Sequence, residues 1–145
     1  MQKIYIVCVG KIKESFYRDA VAEYVKRLSR FAKVEIKELQ EATDIEAEAD
    51  DILRAVKGYV VALAVEGEPL SSEKLAAKMK KLTDDGKEIT FVIGSSCGLS
   101  NRVKDAAHYK LSFSAMTFPH QLMRVILCEQ IYRACMINAG ATYHK

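Results

Sequence analysis

Short apolar runs alternate with helical stripes along the whole chain, and this alternation predicts its elements. Residues 4–9 and 59–65 are continuous apolar runs, which is typical of buried strands. Residues 34–39 alternate apolar and charged positions, which predicts an exposed or edge strand. Further strands are predicted over residues 89–93 and 111–113. Because helical stripes separate the strands, we expect an α/β fold: a mostly parallel sheet of about five strands with helices on both faces.

The helices follow from apolar residues that recur at helical spacing. They are predicted over residues 16–31, 44–57, 72–82, 101–107 and 119–139. Ser71 or Ser72 is expected to cap the third helix, and Ser100 the fourth. Pro119 suits the first turn of the last helix, which is apolar almost all round. Such a helix is expected inside the domain or at a subunit interface.

Turn residues separate several of these elements. Residues 66–69, with the sequence Glu-Gly-Glu-Pro, predict a turn after the strand over 59–65. Asp85 and Gly86 predict a second turn, and Gly94 ends the strand over 89–93.

Length and composition predict one cytosolic domain over residues 1–145. The mass is 16.3 kDa, and hydrophobic residues make up 50% of the chain. The chain contains no run of 18 apolar residues, so neither a transmembrane helix nor a membrane partner is expected. The apolar stretch near the N-terminus is too short for a signal peptide and lacks a small-residue cleavage site.

The four cysteines form no C-x-x-C pair, and with three histidines no metal site is expected. Cys8, Cys128 and Cys135 lie in apolar runs and are predicted to be buried thiols. Cys97 lies between a strand and a helix, where a helix N-terminus could lower a thiol pKa. Its spacing to Arg102 is one residue short of a phosphatase loop, so a cysteine-dependent hydrolase remains only an alternative.

Charge is unevenly distributed along the chain. Residues 1–37 contain nine Lys and Arg against four Asp and Glu, whereas residues 38–51 contain seven acids and no base. This polarity permits an anionic partner such as nucleic acid without demonstrating one. The acidic stretch is interpreted as the solvated face of a helix.

The residues that could bind a small ligand follow three strands. Glycine-rich nucleotide fingerprints are missing, because only Gly10 follows the first strand. Residues 63–67, 94–99 and 113–120 each come at the end of a strand and should meet at one edge of the sheet. Their small residues leave main-chain groups accessible, which suits an adenosine-type ligand, although ordinary small-residue loops have the same composition.

Two histidines are candidates for chemistry. His120 begins the last helix, and His144 lies between Tyr143 and Lys145 at the C-terminus. An aromatic, an imidazole and an ammonium group suit contact with RNA. A structural histidine and a disordered tail are the alternatives.

Several short motifs, in order along the chain, resemble one family. They are Gly10 after the first strand, residues 23–28, the 63–67 segment followed by 71–73, residues 91–94 with Gly98 and Leu99, residues 113–120, Arg124 with Val125, residues 129–134, and residues 143–145. Together they resemble the RlmH family, the small knotted SPOUT-type methyltransferases that act on large-subunit ribosomal RNA. The resemblance covers essentially the whole chain.

The resemblance implies a homodimer with a C-terminal trefoil knot. It further implies S-adenosylmethionine-dependent methylation of N3 of a pseudouridine in a stem-loop of 23S rRNA, on the assembled ribosome. The implied cofactor-binding residues are Leu63, Gly94, Phe113, Ser114, Ala115, Met116, Thr117 and Phe118. The residues implied to face the RNA or the reacting base are His120, Arg124, Tyr143, His144 and Lys145.

The proton acceptor for this reaction stays open between His144 as a general base and ionisation of the pseudouridine beside Arg124 or Lys145. The chain departs from the family pattern at Ala64 and Cys97, where an acid is usual, and at Ser95, where a second glycine is usual. A catalytically impaired RNA- or ribosome-binding dimer of the same fold is therefore the alternative function.

Overall fold

The computed structural model describes all residues, 1–145, and contains five strands that alternate with five helices. In chain order the elements are β1 (Gln2–Val9), α1 (Ser15–Leu28), β2 (Ala32–Leu39), α2 (Ile45–Ala55), β3 (Tyr59–Pro69), α3 (Ser72–Asp84), β4 (Ile89–Ile93), α4 (Asn101–Ala106), β5 (Tyr109–Ser112) and α5 (His120–Asn138). Ser71 and Ser100 cap α3 and α4 by accepting a hydrogen bond from the backbone N–H of Lys74 and Arg102, as predicted.

All five strands pair in parallel, in the order β2-β1-β4-β3-β5. The predicted α/β fold with a parallel sheet is therefore confirmed, and β2 is an edge strand as its alternating pattern indicated. The trefoil knot that the resemblance implies stays a prediction.

The sheet separates two hydrophobic cores. Ile4, Ile6 and Cys8 of β1 point into a cluster of 20 buried residues that α1, α3 and α5 cover. Val7 and Val9 alternate with them and point into a smaller cluster of nine residues under α2 and α4. Because successive side chains of a strand point to opposite faces, one continuous apolar run supplies both cores. None of the helices is long and apolar enough to span a membrane.

The structure corrects one predicted turn and moves one strand. Residues 66–69 are not a turn, because β3 continues through them and Glu68 and Pro69 pair with β5. The pairing has an irregularity between Leu63 and Glu68, where the backbone of Gly67 comes so close to Lys110 that a Cβ at Gly67 would lie 2.8 Å from its carbonyl. Strand β5 lies at Tyr109–Ser112, not at 111–113.

Candidate functional site

A cavity of about 560 Å³ opens at the carboxyl edge of the sheet. It lies between the segments that follow or end β3, β4 and β5, which are the three segments predicted to meet there. Cavities of this size bind small molecules, typically at this edge of an open parallel sheet. The apolar part of its lining consists mainly of Leu63, Ile93, Leu99, Leu111, Phe113, Phe118 and Met123.

One side of the cavity carries an ion pair. Glu66 and Lys104 both line the cavity, and the Nζ of Lys104 lies 2.5 Å from Oε1 of Glu66. The hydrogen bond from Lys104 lowers the pKa of the Glu66 carboxyl, which is therefore ionised at neutral pH. The cavity thus combines apolar walls with a charged pair at one end.

The loop over residues 94–98 forms a wall of the cavity through Gly94, Ser95, Ser96 and Gly98. Gly94 is buried, and a Cβ built on it would lie 2.4 Å from the carbonyl oxygen of Gly98. Ser95 and Gly98 form an isolated antiparallel bridge, and Gly98 has a φ of +81°. The loop therefore folds tightly back on itself, and the close approach at Gly94 requires a residue without a side chain.

Helix α2 holds this loop through carboxylates. Ser95 donates a hydrogen bond of 2.9 Å from its hydroxyl to Oε1 of Glu48, which is only 4% exposed. Ser100 donates to Glu46, and Arg102 bonds Asp50 at 2.7 Å. The interpretation of the acidic stretch as merely a solvated helix face is therefore wrong for Glu48.

Glu48 was missed in the sequence, although a signal for it was present. Ile45, Glu48, Ala49 and Ile52 follow the i, i+3, i+4, i+7 spacing of one helix face. A carboxylate within an apolar face is expected to have a buried partner.

The loop over residues 113–118 forms the opposite wall. Ser114 organises it by accepting a hydrogen bond from the backbone N–H of Met116 with its hydroxyl and one from the Ser112 hydroxyl with its carbonyl. The predicted cofactor residues that line the cavity are Leu63, Gly94, Phe113, Ser114, Met116, Thr117 and Phe118. Ala115 is exposed and does not line it.

The predicted catalytic residues do not all reach the cavity. His120 lines it, and the Nε2 atom of His120 is buried without a hydrogen-bond partner. Unpartnered buried polar atoms are rare in folded proteins, which makes His120 a candidate for contact with a bound molecule. Arg124, Tyr143, His144 and Lys145 do not line the cavity.

Arg124 is buried in the fold, contrary to the expectation that it faces RNA or the reacting base. Its side chain is 1% exposed and bonds Glu38 at 2.7 Å. It also donates to the carbonyl oxygens of Val9 and Gly10, at 3.1 and 2.5 Å. Since Glu38 also accepts the backbone N–H of Ile12, Arg124 fastens the turn after β1 to β2 and α5.

Tyr143 and His144 near the C-terminus pack against α5 and α3. Tyr143 donates to Glu129 at 2.9 Å and meets the ring of Tyr132 edge-on at a centroid distance of 5.0 Å. Burial and the bond to Glu129 raise the pKa of Tyr143 to about 12, so its hydroxyl stays protonated at neutral pH.

His144 lies between an arginine and a carboxylate. Its Nδ1 is 3.0 Å from Arg133, and its Nε2 is 2.6 Å from Glu73. Because a guanidinium only donates, Nδ1 accepts and Nε2 carries the proton toward Glu73. The lone pair of His144 is therefore already engaged in this arrangement. The hydrogen bond from His144 lowers the pKa of the Glu73 carboxyl.

The four cysteines differ in a way that a reagent can measure. Cys8 and Cys128 are buried and Cys135 is half-buried, and burial raises the pKa of these thiols to about 11, 12 and 11. Cys97 is exposed but does not line the cavity, which gives no support to a hydrolase site.

At about pH 8, Ellman's reagent is expected to titrate one thiol per native chain rapidly and all four after unfolding. Fast reaction of two or more native thiols, or persistence of the fast phase in Cys97→Ser, would contradict this assignment.

The chain is similar to known proteins in both sequence and structure. Residues 2–144 match the family described as predicted SPOUT methyltransferase. A protein of Bifidobacterium animalis subsp. lactis called ribosomal RNA large subunit methyltransferase H is 52% identical over 98% of this chain and 99% of its own length. One of the same name from Streptococcus uberis is 46% identical over 99% of both chains.

Solved structures resemble this fold at low sequence identity. A probable methylase family protein from Haemophilus influenzae superposes with a TM-score of 0.63 at 15% identity, over 98% of this chain and 70% of that one. A probable methyltransferase from Bordetella pertussis has a TM-score of 0.62 at 11% identity, over 92% and 95% of the two chains. At these identities the likeness concerns the fold alone.

Proposed function

The chain belongs to the SPOUT methyltransferases, among the proteins called ribosomal RNA large subunit methyltransferase H, and on that premise we propose its reaction. The reaction is transfer of a methyl group from S-adenosylmethionine to N3 of a pseudouridine in a stem-loop of 23S rRNA, on the assembled ribosome in the cytoplasm. The observation that carries the proposal is the cavity of about 560 Å³ between the 94–98 and 113–118 loops.

The cavity fits S-adenosylmethionine in its chemistry. Apolar side chains such as Leu99 and Phe118 suit the faces of an adenine ring, and the main chain around Gly94 and Ser114 offers donors and acceptors for its edge. The carboxylate of Glu66 can face a positively charged group. When bound, S-adenosylmethionine would supply an electrophilic methyl carbon: the nitrogen lone pair bonds to that carbon while its bond to sulfur breaks, and S-adenosylhomocysteine leaves as a neutral thioether.

The protein has to position the pseudouridine and accept its N3 proton. Displacement at a methyl group needs an in-line approach, so the walls that hold both reactants matter most. N3 is protonated at neutral pH and must lose its proton before it can attack. We assign contact with the reacting base to His120, because it lines the cavity and its Nε2 has no partner in the protein.

A homodimer would bring further residues to this site. Leu122, Val125 and Ile126 of α5 are only half-buried, and Met116 on the cavity loop is 73% exposed. Apolar side chains that remain partly exposed on one face of a helix are typical of a protein–protein interface. In the proposed dimer, Tyr143, His144 and Lys145 act at the site from the second subunit, since none of them lines the cavity of its own chain.

Thr117→Arg is expected to lower the rate of methyl transfer to ribosomes strongly. Thr117 is an exposed residue of the cavity lining, and an arginine there brings bulk and a positive charge against a cationic cofactor. Transfer of radiolabelled methyl to 23S rRNA is expected to fall at least about 100-fold, or about 2.7 kcal/mol. Thr83→Arg is the matched control, because Thr83 is exposed on α3 outside the cavity.

Primer extension identifies the methylated atom. A methyl group at N3 blocks the base-pairing edge, so wild-type protein acting on ribosomes should create a reverse-transcription stop within the stem-loop. Ribosomes whose 23S rRNA lacks the pseudouridine should give none. Cofactor binding without any methylation of ribosomes would instead favour the alternative, an RNA- or ribosome-binding dimer of this fold without activity.

A further inference from the structure

The 94–98 loop is fastened to the rest of the protein chiefly through one buried carboxylate. Glu48 accepts the Ser95 hydroxyl at 2.9 Å with Oε1 and the backbone N–H of Ala42 at 3.1 Å with Oε2. Both oxygens are therefore engaged, and the residue is only 4% exposed. A carboxylate this deeply buried is retained only when its hydrogen bonds compensate for lost hydration.

Ser95 transmits this contact to the loop. Besides donating to Glu48, its hydroxyl accepts the backbone N–H of Cys97 at 3.3 Å, and its carbonyl accepts the N–H of Gly98 at 2.8 Å. Ser95 also lines the cavity. One side chain thus connects helix α2, the turn of the loop and the cavity wall.

The residues that follow the 94–98 loop also bond to helix α2. Ser100 donates to Glu46, and Arg102 bonds Asp50. Glu46 and Asp50 are half exposed, so water competes for those contacts. The buried Glu48–Ser95 bond is the one expected to fix the position of the loop.

We infer that Glu48 is a positioning residue for the cofactor wall, which holds the 94–98 loop in its binding conformation through the Ser95 hydroxyl. The inference rests on the proposed function, because it takes this wall to bind S-adenosylmethionine. It also gives a role to the side chain of Ser95, whose hydroxyl a glycine at this position would not provide. Here the added hydroxyl supplies a fixed anchor where a glycine would leave the loop freer.

Ser95→Ala, Glu48→Ala and the double variant test the inference by calorimetric titration with S-adenosylmethionine and by methyl-transfer kinetics. Each single variant is expected to raise the Kd and the KM for the cofactor about tenfold, equivalent to about 1.4 kcal/mol, with kcat within about twofold. The double variant is expected to be no weaker than Glu48→Ala, because both changes remove the same bond. Additive losses, or wild-type affinity in either single variant, would overturn the inference.

Ile52→Val separates positioning from general stability. Ile52 is buried on the same face of α2, one turn after Glu48, and does not contact the loop through a hydrogen bond. The Ile52→Val variant should have a lower midpoint of thermal unfolding than wild type but an unchanged Kd for the cofactor. If cofactor affinity instead follows the midpoint across all the variants, Glu48 acts only through stability.

Hydrogen exchange gives a readout that needs no cofactor. The amides of residues 96–99 should exchange faster in Ser95→Ala and Glu48→Ala than in wild type, and not in Ile52→Val. If wild-type protein fails to bind S-adenosylmethionine, the proposed function fails, and the exchange data still decide whether Glu48 holds the loop. If the exchange rates of these amides are unchanged in both Ser95→Ala and Glu48→Ala, that result alone overturns the inference.

Discussion

Gly94→Ala is expected to lower the affinity for S-adenosylmethionine at least about 100-fold, or about 2.7 kcal/mol. The added Cβ would lie 2.4 Å from the carbonyl oxygen of Gly98 and 3.1 Å from Cδ2 of Leu99. The first contact is with backbone, so no side-chain rotation relieves it, and the loop must open. Opening moves the main chain of Ser95 and Gly98, which forms one wall of the cavity. Calorimetric titration with S-adenosylmethionine, with S-adenosylhomocysteine as a second ligand, measures the loss.

The matched control for this substitution is Gly86→Asn. Gly86 has a positive φ, +72°, which Gly94 does not have, but a Cβ at Gly86 meets no atom within 4 Å. Asparagine tolerates this backbone region better than other residues with a side chain, so the cost should be small and cofactor affinity unchanged. Wild-type affinity in Gly94→Ala would mean that the 94–98 loop is not part of the cofactor site, and the proposed function would lose its main support.

The sheet could be predicted because its signals are local. A strand that is buried on both faces has a continuous apolar run, as over residues 4–9 and 89–93. A strand that is buried on one face alternates apolar and polar residues, as over 34–39. The continuation of β3 through residues 66–69 could not be predicted in this way. Its Glu-Gly-Glu-Pro sequence favours a turn, but pairing with β5, about 40 positions later, holds it extended. Contacts between distant segments overrule local turn propensity.

The place of the candidate site was predictable from topology. Parallel strands bring their carboxyl ends to one edge, so the segments after β4 and β5 had to lie near the end of β3. The buried partners of charged side chains were not predictable. Glu48 bonds Ser95, and Arg124 bonds groups of residues 9, 10 and 38, all of them far away in the sequence.

Arg124→Met is expected to destabilise the fold by about 3–4 kcal/mol. Methionine keeps the apolar stem of the side chain but leaves the buried carbonyls of Val9 and Gly10 without their donor. Glu38 contributes less to the loss, because its side chain is 37% exposed and water can solvate it once it is unpaired. Denaturant unfolding of both proteins measures the difference. One protein concentration should be used throughout, since dimerisation would couple stability to concentration.

Arg27→Met is the matched control for this change. Arg27 forms an ion pair with Glu23 one turn away on α1, the two side chains are 41% and 50% exposed, and the Arg27 guanidinium lies 5.3 Å from the ring of Tyr24. Exposed pairs contribute about 0–1 kcal/mol, so this variant should unfold close to wild type. An equally small loss in Arg124→Met would contradict a structural role and return Arg124 to the residues that face the RNA. A large loss of stability in Arg124→Met that Arg124→Lys partly restores would instead confirm the structural role of Arg124. Of the predicted catalytic residues, His120 would then be the one that lines the cavity within one chain.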